Sequence, residues 1–175
     1  MLSPLLVTLA LDADTFERLD ALRRRYFPAE RNVVPAHVSF FHSLPAENAH
    51  EVRAELEEAA NTCGPIPLKF ATIRRTGKGI VAWVEAPGLS ALHARLARAF
   101  GASLSPQDRL PFRPHATIMN KAEPLAAALA FAELNASWEP ITGRGEGLLL
   151  WEYLGGPWRL AARYPFAAGS GTMNA

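Results

Sequence analysis

Cysteine is nearly absent from this chain: Cys63 is the only one in 175 residues. A single thiol cannot form an internal disulfide and excludes a zinc site built on cysteines, so a reducing setting and a cytoplasmic location are expected. Long apolar runs are also missing. The N-terminal stretch MLSPLLVTLALDAD has no basic n-region, and its apolar part stops at Asp12, too short to span a bilayer. It reads as a first strand, with no membrane association expected. Charge of either sign is not in excess: the net charge is +1, which argues against tight, sequence-independent binding to long nucleic acid. No HExxH or similarly spaced set of metal ligands occurs.

What remains is 49% hydrophobic and 20% charged, enough for one well-cored domain or for two small lobes sharing an interface. The expectation is a single bilobal unit over residues 1–166, with a disordered tail over 167–175 that has little to bury. The charge is unevenly spread. Residues 1–65 carry six Lys/Arg against ten Asp/Glu, and 66–175 carry twelve against seven, so the second part is net positive. A small phosphate ligand would use that asymmetry.

Taken in order, 4–11 is a buried strand. Asp14 then offers an N-cap to a helix whose Phe16, Leu19, Leu22 and Tyr26 recur at helical spacing up to Pro28. Arg23, Arg24 and Arg25 sit at its end, where cations complement the helix dipole. Strand 35–42 follows, then a helix over 45–61 with Ala49, Val52, Leu56 and Ala59 on one face and His50 on the exposed side. Two β-rich runs flank Thr76-Gly77-Lys78-Gly79, a hairpin signal. A third helix, 89–100, places Leu89, Leu92, Leu96 and Ala99 on one face, His93 off it on the surface, and Gly101 at its stop. After a loop over 102–111 come a strand through 112–119, a helix from Pro124 to about Asn135, and strands at 138–141, 147–153 and 158–166.

Two short motifs stand out in this series. Pro35-Ala-His37-Val38-Ser39-Phe40-Phe41 and Pro114-His115-Ala116-Thr117-Ile118-Met119 each read His-x-Ser/Thr-apolar, and the histidines are 78 residues apart. Successive side chains of a strand point to opposite faces. His37 therefore shares a face with Ser39, and His115 with Thr117, while the same rule puts Val38, Phe40 and His42 on the other side and removes His42 as a partner of His37. Each motif is followed, eight or nine residues on, by a proline-initiated helix and then a hairpin. This duplication implies two similar lobes about a pseudo-two-fold axis, each presenting its histidine to a shared cleft. Phosphodiester cleavage near neutral pH needs one base and one acid, and histidine, with an ordinary pKa near 6.5, serves as either. The hydroxyls of Ser39 and Thr117 are placed to donate to non-bridging phosphate oxygens, and no metal is required. The two copies are too alike to tell base from acid.

At these residues the chain resembles the two-histidine (2H) phosphoesterase superfamily, in its 2′-5′ RNA ligase-like and cyclic phosphodiesterase branch. The family mark, a pair of His-x-Thr/Ser-apolar motifs, is matched by HVSF at His37–Phe40 and HATI at His115–Ile118, the second preceded by an aromatic-x-Pro at Phe112-Arg113-Pro114. In element order the likeness runs from Leu5 to about Phe166. It implies an α+β, bilobal fold of duplicated lobes with antiparallel β-sheets flanked by helices around a central cleft. It also implies action on 2′,3′-cyclic phosphates, on related cyclic nucleotides or on 2′-5′ linkages of RNA. Ser39 departs from the commoner Thr but keeps the hydroxyl. The basic residue that often follows the second motif is matched only by Lys121, six residues past His115, which the resemblance makes a phosphate contact.

The leading expectation is thus a metal-independent 2′,3′-cyclic phosphodiesterase, monomeric, without cofactor, whose partner is a cyclic nucleotide or RNA-end substrate. A binding module that keeps the cleft but turns over little is the alternative, and a zinc hydrolase is a weak third. Phe41, Trp83 and Trp151 are candidate stacking faces for a base.

Overall fold

In the computed structural model, which describes residues 3–168, the expected elements appear with shifted edges. Strand β1 (Leu5–Leu11) leads into helix α1 (Ala13–Tyr26). The cap is Asp12 and not Asp14: the Asp12 carboxylate accepts from the Thr15 backbone N–H at 3.0 Å and from the Thr15 hydroxyl at 2.8 Å, satisfying a helix-end donor that Asp14, already inside the first turn, cannot reach. Then come β2 (Ser39–Leu44), a 3₁₀ turn at Ala46–Asn48, α2 (Ala49–Asn61), and the hairpin of β3 (Ile66–Thr76) and β4 (Gly79–Glu85). The second half continues with α3 (Pro87–Phe100), β5 (His115–Met119), α4 (Pro124–Ala136), β6 (Ile141–Tyr153) and β7 (Trp158–Pro165). No described helix is long and apolar enough to cross a membrane. The tail expectation falls, for residues 169–175, outside the described residues.

All seven strands pair antiparallel in the order β2-β1-β6-β3-β4-β5, with β7 alongside the second part of β6. That order is a palindrome of two β-α-β-α-β units, β1 to β3 and β4 to β6, in which each unit's third strand crosses to the other's first. The hairpin expected to complete the first lobe therefore joins the two units. The α+β, two-lobed antiparallel fold is present, with β6 shared between the lobes: its start pairs with β3 and its remainder with β1 and β7.

Three local readings need correction. Two strands are expected from the sequence at 138–141 and 147–153, but a single strand runs Ile141–Tyr153 through Gly143 and Gly145. These glycines resemble a loop in sequence, yet they mark close approach. A Cβ on Gly143 would lie 1.7 Å from the Thr15 hydroxyl, and one on Gly145 would lie 2.8 Å from a Leu9 methyl. In α3 the buried stripe is Leu89, Leu92, His93, Leu96 and Phe100. At about 100° per residue His93 sits roughly 40° from Leu89, whereas Ala99 is roughly 80° away and is exposed. His93 is thus a core residue, 8% exposed, stacked between Phe41 and Phe112 with ring centroids 4.8 and 3.9 Å away.

Helix α1 lies against β5 of the other unit, and Arg23 fastens it there. Arg23 is 2% exposed; its guanidinium donates to the Thr117 carbonyl at 2.7 Å, the Val34 carbonyl at 3.0 Å and the Asn32 side-chain oxygen at 2.9 Å, over the Phe27 ring. One side chain thereby ties the helix to the segment before His37 and to the strand carrying His115.

Two substitutions test this packing by urea unfolding. Gly143→Ala forces the Thr15 cap aside, with an expected loss of about 1–3 kcal/mol, and unchanged stability would contradict the close approach. Arg23→Met leaves buried carbonyls without donors and should cost roughly 3 kcal/mol or more.

Candidate active site

The site begins with one backbone pairing. Val38, just before β2, forms an antiparallel bridge with Ala116 of β5, which brings the two ends of the sheet path together. Both residues point into the core, 0% and 1% exposed. Their neighbours must then lie on the opposite face, with His37 across from Thr117 and Ser39 across from His115. All four are half-buried, alternating strictly with the core residues. Directly opposed side chains in such a pair have Cβ atoms about 4.5–5.5 Å apart and diagonal ones about 7–8 Å, so the two imidazoles stand diagonally across one patch of sheet.

Their orientation is matched as well as their position. His37 Nδ1 lies 2.8 Å from the Pro35 carbonyl, and His115 Nδ1 lies 2.8 Å from the Arg113 carbonyl. A carbonyl only accepts, so Nδ1 carries the proton in both rings and Nε2 is the nitrogen left for chemistry. Around His37 the Trp158 ring packs at 4.6 Å between centroids, and Trp151 lies 6.0 Å beyond Trp158. Beside His115, the Trp83 ring approaches edge-on at 5.6 Å; the two are register partners across β4 and β5.

Burial lowers the His37 pKa from 6.5 to about 4; the hydrogen bond to Pro35 opposes the shift, and the charges of Arg23, His42 and His115 add to it. His37 is therefore neutral near pH 7.

Two cavities flank the pair. One, about 450 Å³, is bordered by His37 together with Thr8, Leu149, Trp151 and Arg163. The other, about 280 Å³, is bordered by Ser39 and His115 together with His42, Gln107, Asp108 and Arg113. The presence of His42 corrects the alternation rule. Thr8 pairs with Ser39 and Val7 with Phe41, so β2 carries one more residue than β1 over this step. This bulge puts Phe40 and Phe41 both in the core, at 2% and 0% exposed, and returns His42 to the side of Ser39. Phe41 is consequently closed to any base.

His42 is held by a carboxylate that sequence reading did not single out. Asp108 accepts from the His42 backbone N–H at 2.8 Å, His42 Nδ1 at 3.0 Å, the Ser43 N–H at 3.1 Å and the Ser105 hydroxyl at 2.8 Å. Burial alone would raise its pKa, but the bonds from His42, Ser105 and Ser43 outweigh burial and hold the carboxyl below its usual value. Arg23 and Trp158 also escaped the sequence reading: one looked like part of a helix-end cluster, and the other like an ordinary strand residue.

Lys121 is not brought to this face. It follows the end of β5 in the left-handed region at φ 58, exposed, and it lines neither flanking cavity. His50 is exposed on α2 as expected. Among the described residues no three His, Cys, Asp or Glu side chains are grouped to hold a metal ion.

None of the curated proteins matches this chain. Among solved structures it is similar to TT0787 of Thermus thermophilus, at 18% identity and a TM-score of 0.66 over 95% of this chain and 99% of that one. It is similar as well to E. coli LigT complexed with 3′-AMP, at 16% identity and a TM-score of 0.65 over 95% and 99%. At such identities the likeness is one of fold. The sequence itself goes further, for residues 11–157 match the family description of the 2′-5′ RNA ligase superfamily, and the chain belongs to that superfamily of two-histidine phosphoesterases.

Proposed function

We propose that this chain is a metal-independent phosphodiesterase that hydrolyses 2′,3′-cyclic phosphates of RNA ends or small nucleotides, with His37 and His115 as its proton-transfer pair. The superfamily is one of phosphoesterases and RNA ligase-like enzymes, and the LigT structures with 3′-AMP and with phosphate show relatives of this fold holding phosphate-bearing ligands. The observation that carries the reading is the 2×2 arrangement set by the Val38–Ala116 bridge. It gives one phosphate two imidazole Nε2 atoms and two hydroxyls on a single face.

In the proposed reaction a water attacks phosphorus while His37 Nε2 takes one of its protons. The bond from phosphorus to one ribose oxygen breaks, and His115, protonated, gives that oxygen its Nε2 proton. The product is a ribose phosphomonoester with a free neighbouring hydroxyl. The two rings are left with opposite protonation, which exchange with solvent resets. The neutral state that burial imposes on His37 favours it as the base. Ser39 and Thr117 donate to the non-bridging oxygens as their charge grows. Trp151 and Trp158, beside His37, offer ring faces to a base or ribose.

Activity on the four nucleoside 2′,3′-cyclic phosphates, followed by phosphorus NMR, is the direct test. His37→Ala and His115→Ala should each lose on the order of a hundredfold or more. Ser39→Ala and Thr117→Val should lose less, at most about 3–4 kcal/mol of transition-state stabilisation apiece, and EDTA should change nothing. Tight nucleotide binding without turnover would identify a binding module instead.

The acid and base can be told apart. With a phosphodiester bearing an activated leaving group, His115→Ala should do little harm while His37→Ala stays damaging; equal sensitivity of both would overturn the division of roles. Protonating His37 removes the base, so kcat/KM should fall as pH drops through about 4, well below the ordinary histidine value. An acid limb at the ordinary histidine value would contradict the burial-lowered pKa of His37 in that role.

A further inference from the structure

The reaction above uses two histidines, and a third stands in the cavity beside Ser39 and His115. His42 has its Nδ1 committed to Asp108, which is 6% exposed and accepts four hydrogen bonds, so Nε2 is the ring nitrogen left for a ligand. Carboxylate-oriented imidazoles are costly to build, because the buried charge must be fully bonded. Here the β2 bulge, the 105–108 turn and the Asp108 contacts all serve to hold one half-exposed ring at a cavity wall. Arg113 and Gln107, both exposed, border the same cavity, and neither side chain donates to a protein acceptor among the described residues. The cavity's one carboxylate is spent on its own contacts. With its Nδ1–H given to Asp108, His42 donates through Nε2 only as the imidazolium; in that form it joins Arg113 and Gln107, beside the apolar Leu110, Pro111 and Phe112, in a set of donors suited to an anion.

We propose that this cavity is a second-anion subsite, taking a phosphoryl group borne by the same substrate whose scissile phosphate lies between His37 and His115, with His42 as a contact and Asp108 as its positioning residue. The proposal rests on the phosphodiesterase reading for the identity of that substrate. His42 is three residues from Ser39 along a bulged strand, at most about 10 Å at strand rise, a separation one ribose and its ester oxygens can bridge. A cavity of about 280 Å³, just under the typical ligand-pocket range of about 300–1,000 Å³, has room for a phosphoribosyl end. A nucleoside 2′,3′-cyclic phosphate that also carries a 5′-phosphate is the simplest molecule with both groups.

The test compares adenosine 2′,3′-cyclic phosphate with and without a 5′-phosphate, using the full chain and its His42→Gln and Asp108→Asn variants. The intact protein should prefer the 5′-phosphorylated substrate on the order of tenfold in kcat/KM, expressed in KM and not in kcat. His42→Gln, a change at a ring 41% exposed and outside the core, should erase most of that preference; Asp108→Asn should reduce it in the same direction. A preference that survives His42→Gln, or none in the intact protein, overturns the subsite. Failure of the phosphodiesterase reading would look different, as neither substrate would be cleaved. In that event calorimetry with adenosine 3′,5′-bisphosphate and adenosine 3′-monophosphate decides: tighter binding of the bisphosphate that is lost in His42→Gln supports the subsite, and equal binding of the two overturns it.

Discussion

Everything at the site depends on a backbone pairing of two residues, Val38 and Ala116, neither of which has a functional group to offer. Because an antiparallel bridge fixes which neighbours face each other, it determines the relation between His37, Ser39, His115 and Thr117 through the backbone. The polar face is set by what the apolar face needs to bury. Val38 and Ala116 are fully enclosed, and this burial holds the bridge closed. Selection for core packing and selection for chemistry therefore act on alternate residues of the same two short segments.

The bridge is then locked from outside by side chains that cross between the units. Arg23 reaches from α1 of the first unit to the Thr117 carbonyl of the second, and His93 reaches from α3 of the second unit to stack on Phe41 of the first. These two are not equivalent in energy. The guanidinium answers buried carbonyls that would otherwise be stranded, whereas the His93 ring contributes packing, and burial lowers its pKa. Arg23 bonds the carbonyl of Thr117 itself and His93 stacks on Phe41, two residues from Ser39, while the loop before β5 supplies the wall that holds His42.

Much of this was legible in the sequence. Four helices, read from the sequence as following Asp14 up to Pro28 and as spanning 45–61, 89–100 and 124 to about 135, the central hairpin and the paired motifs follow from periodicity and from proline and glycine positions, with edges that the structure moves by a few residues. What was not legible depends on counting across strands. A bulge at Phe40 has no mark in β2 itself; it exists because β1 supplies one residue fewer, and it moves His42 from one face to the other. Asp108 sits in a loop whose composition announces only a turn, and its partners on β2 are 65 and 66 residues away in sequence. Gly143 and Gly145 resemble a connection because glycine is scarce in strands, and only the packing of Thr15 and Leu9 against them shows why nothing larger fits. The run Arg23-Arg24-Arg25 combines one buried residue with two exposed ones, a difference set by helix phase that three like letters conceal.

The crossing of β3 and β6 has a consequence for how such a chain is assembled in time. While the first unit alone is available, β1 lacks its inner partner, because that place belongs to β6 near the far end of the chain. β3 likewise finds neither of its partners until β4 and β6 follow. A growing polypeptide therefore cannot complete one lobe and then add another, and the cleft forms only when nearly all of the chain has been delivered. The same interlock means that two separate copies of one β-α-β-α-β unit could exchange their third strands about a two-fold axis and reproduce this sheet order, with a cleft shared by both copies. In the present chain the short β3–β4 turn makes that exchange intramolecular, turning what would be a concentration-dependent association into a single cooperative folding event.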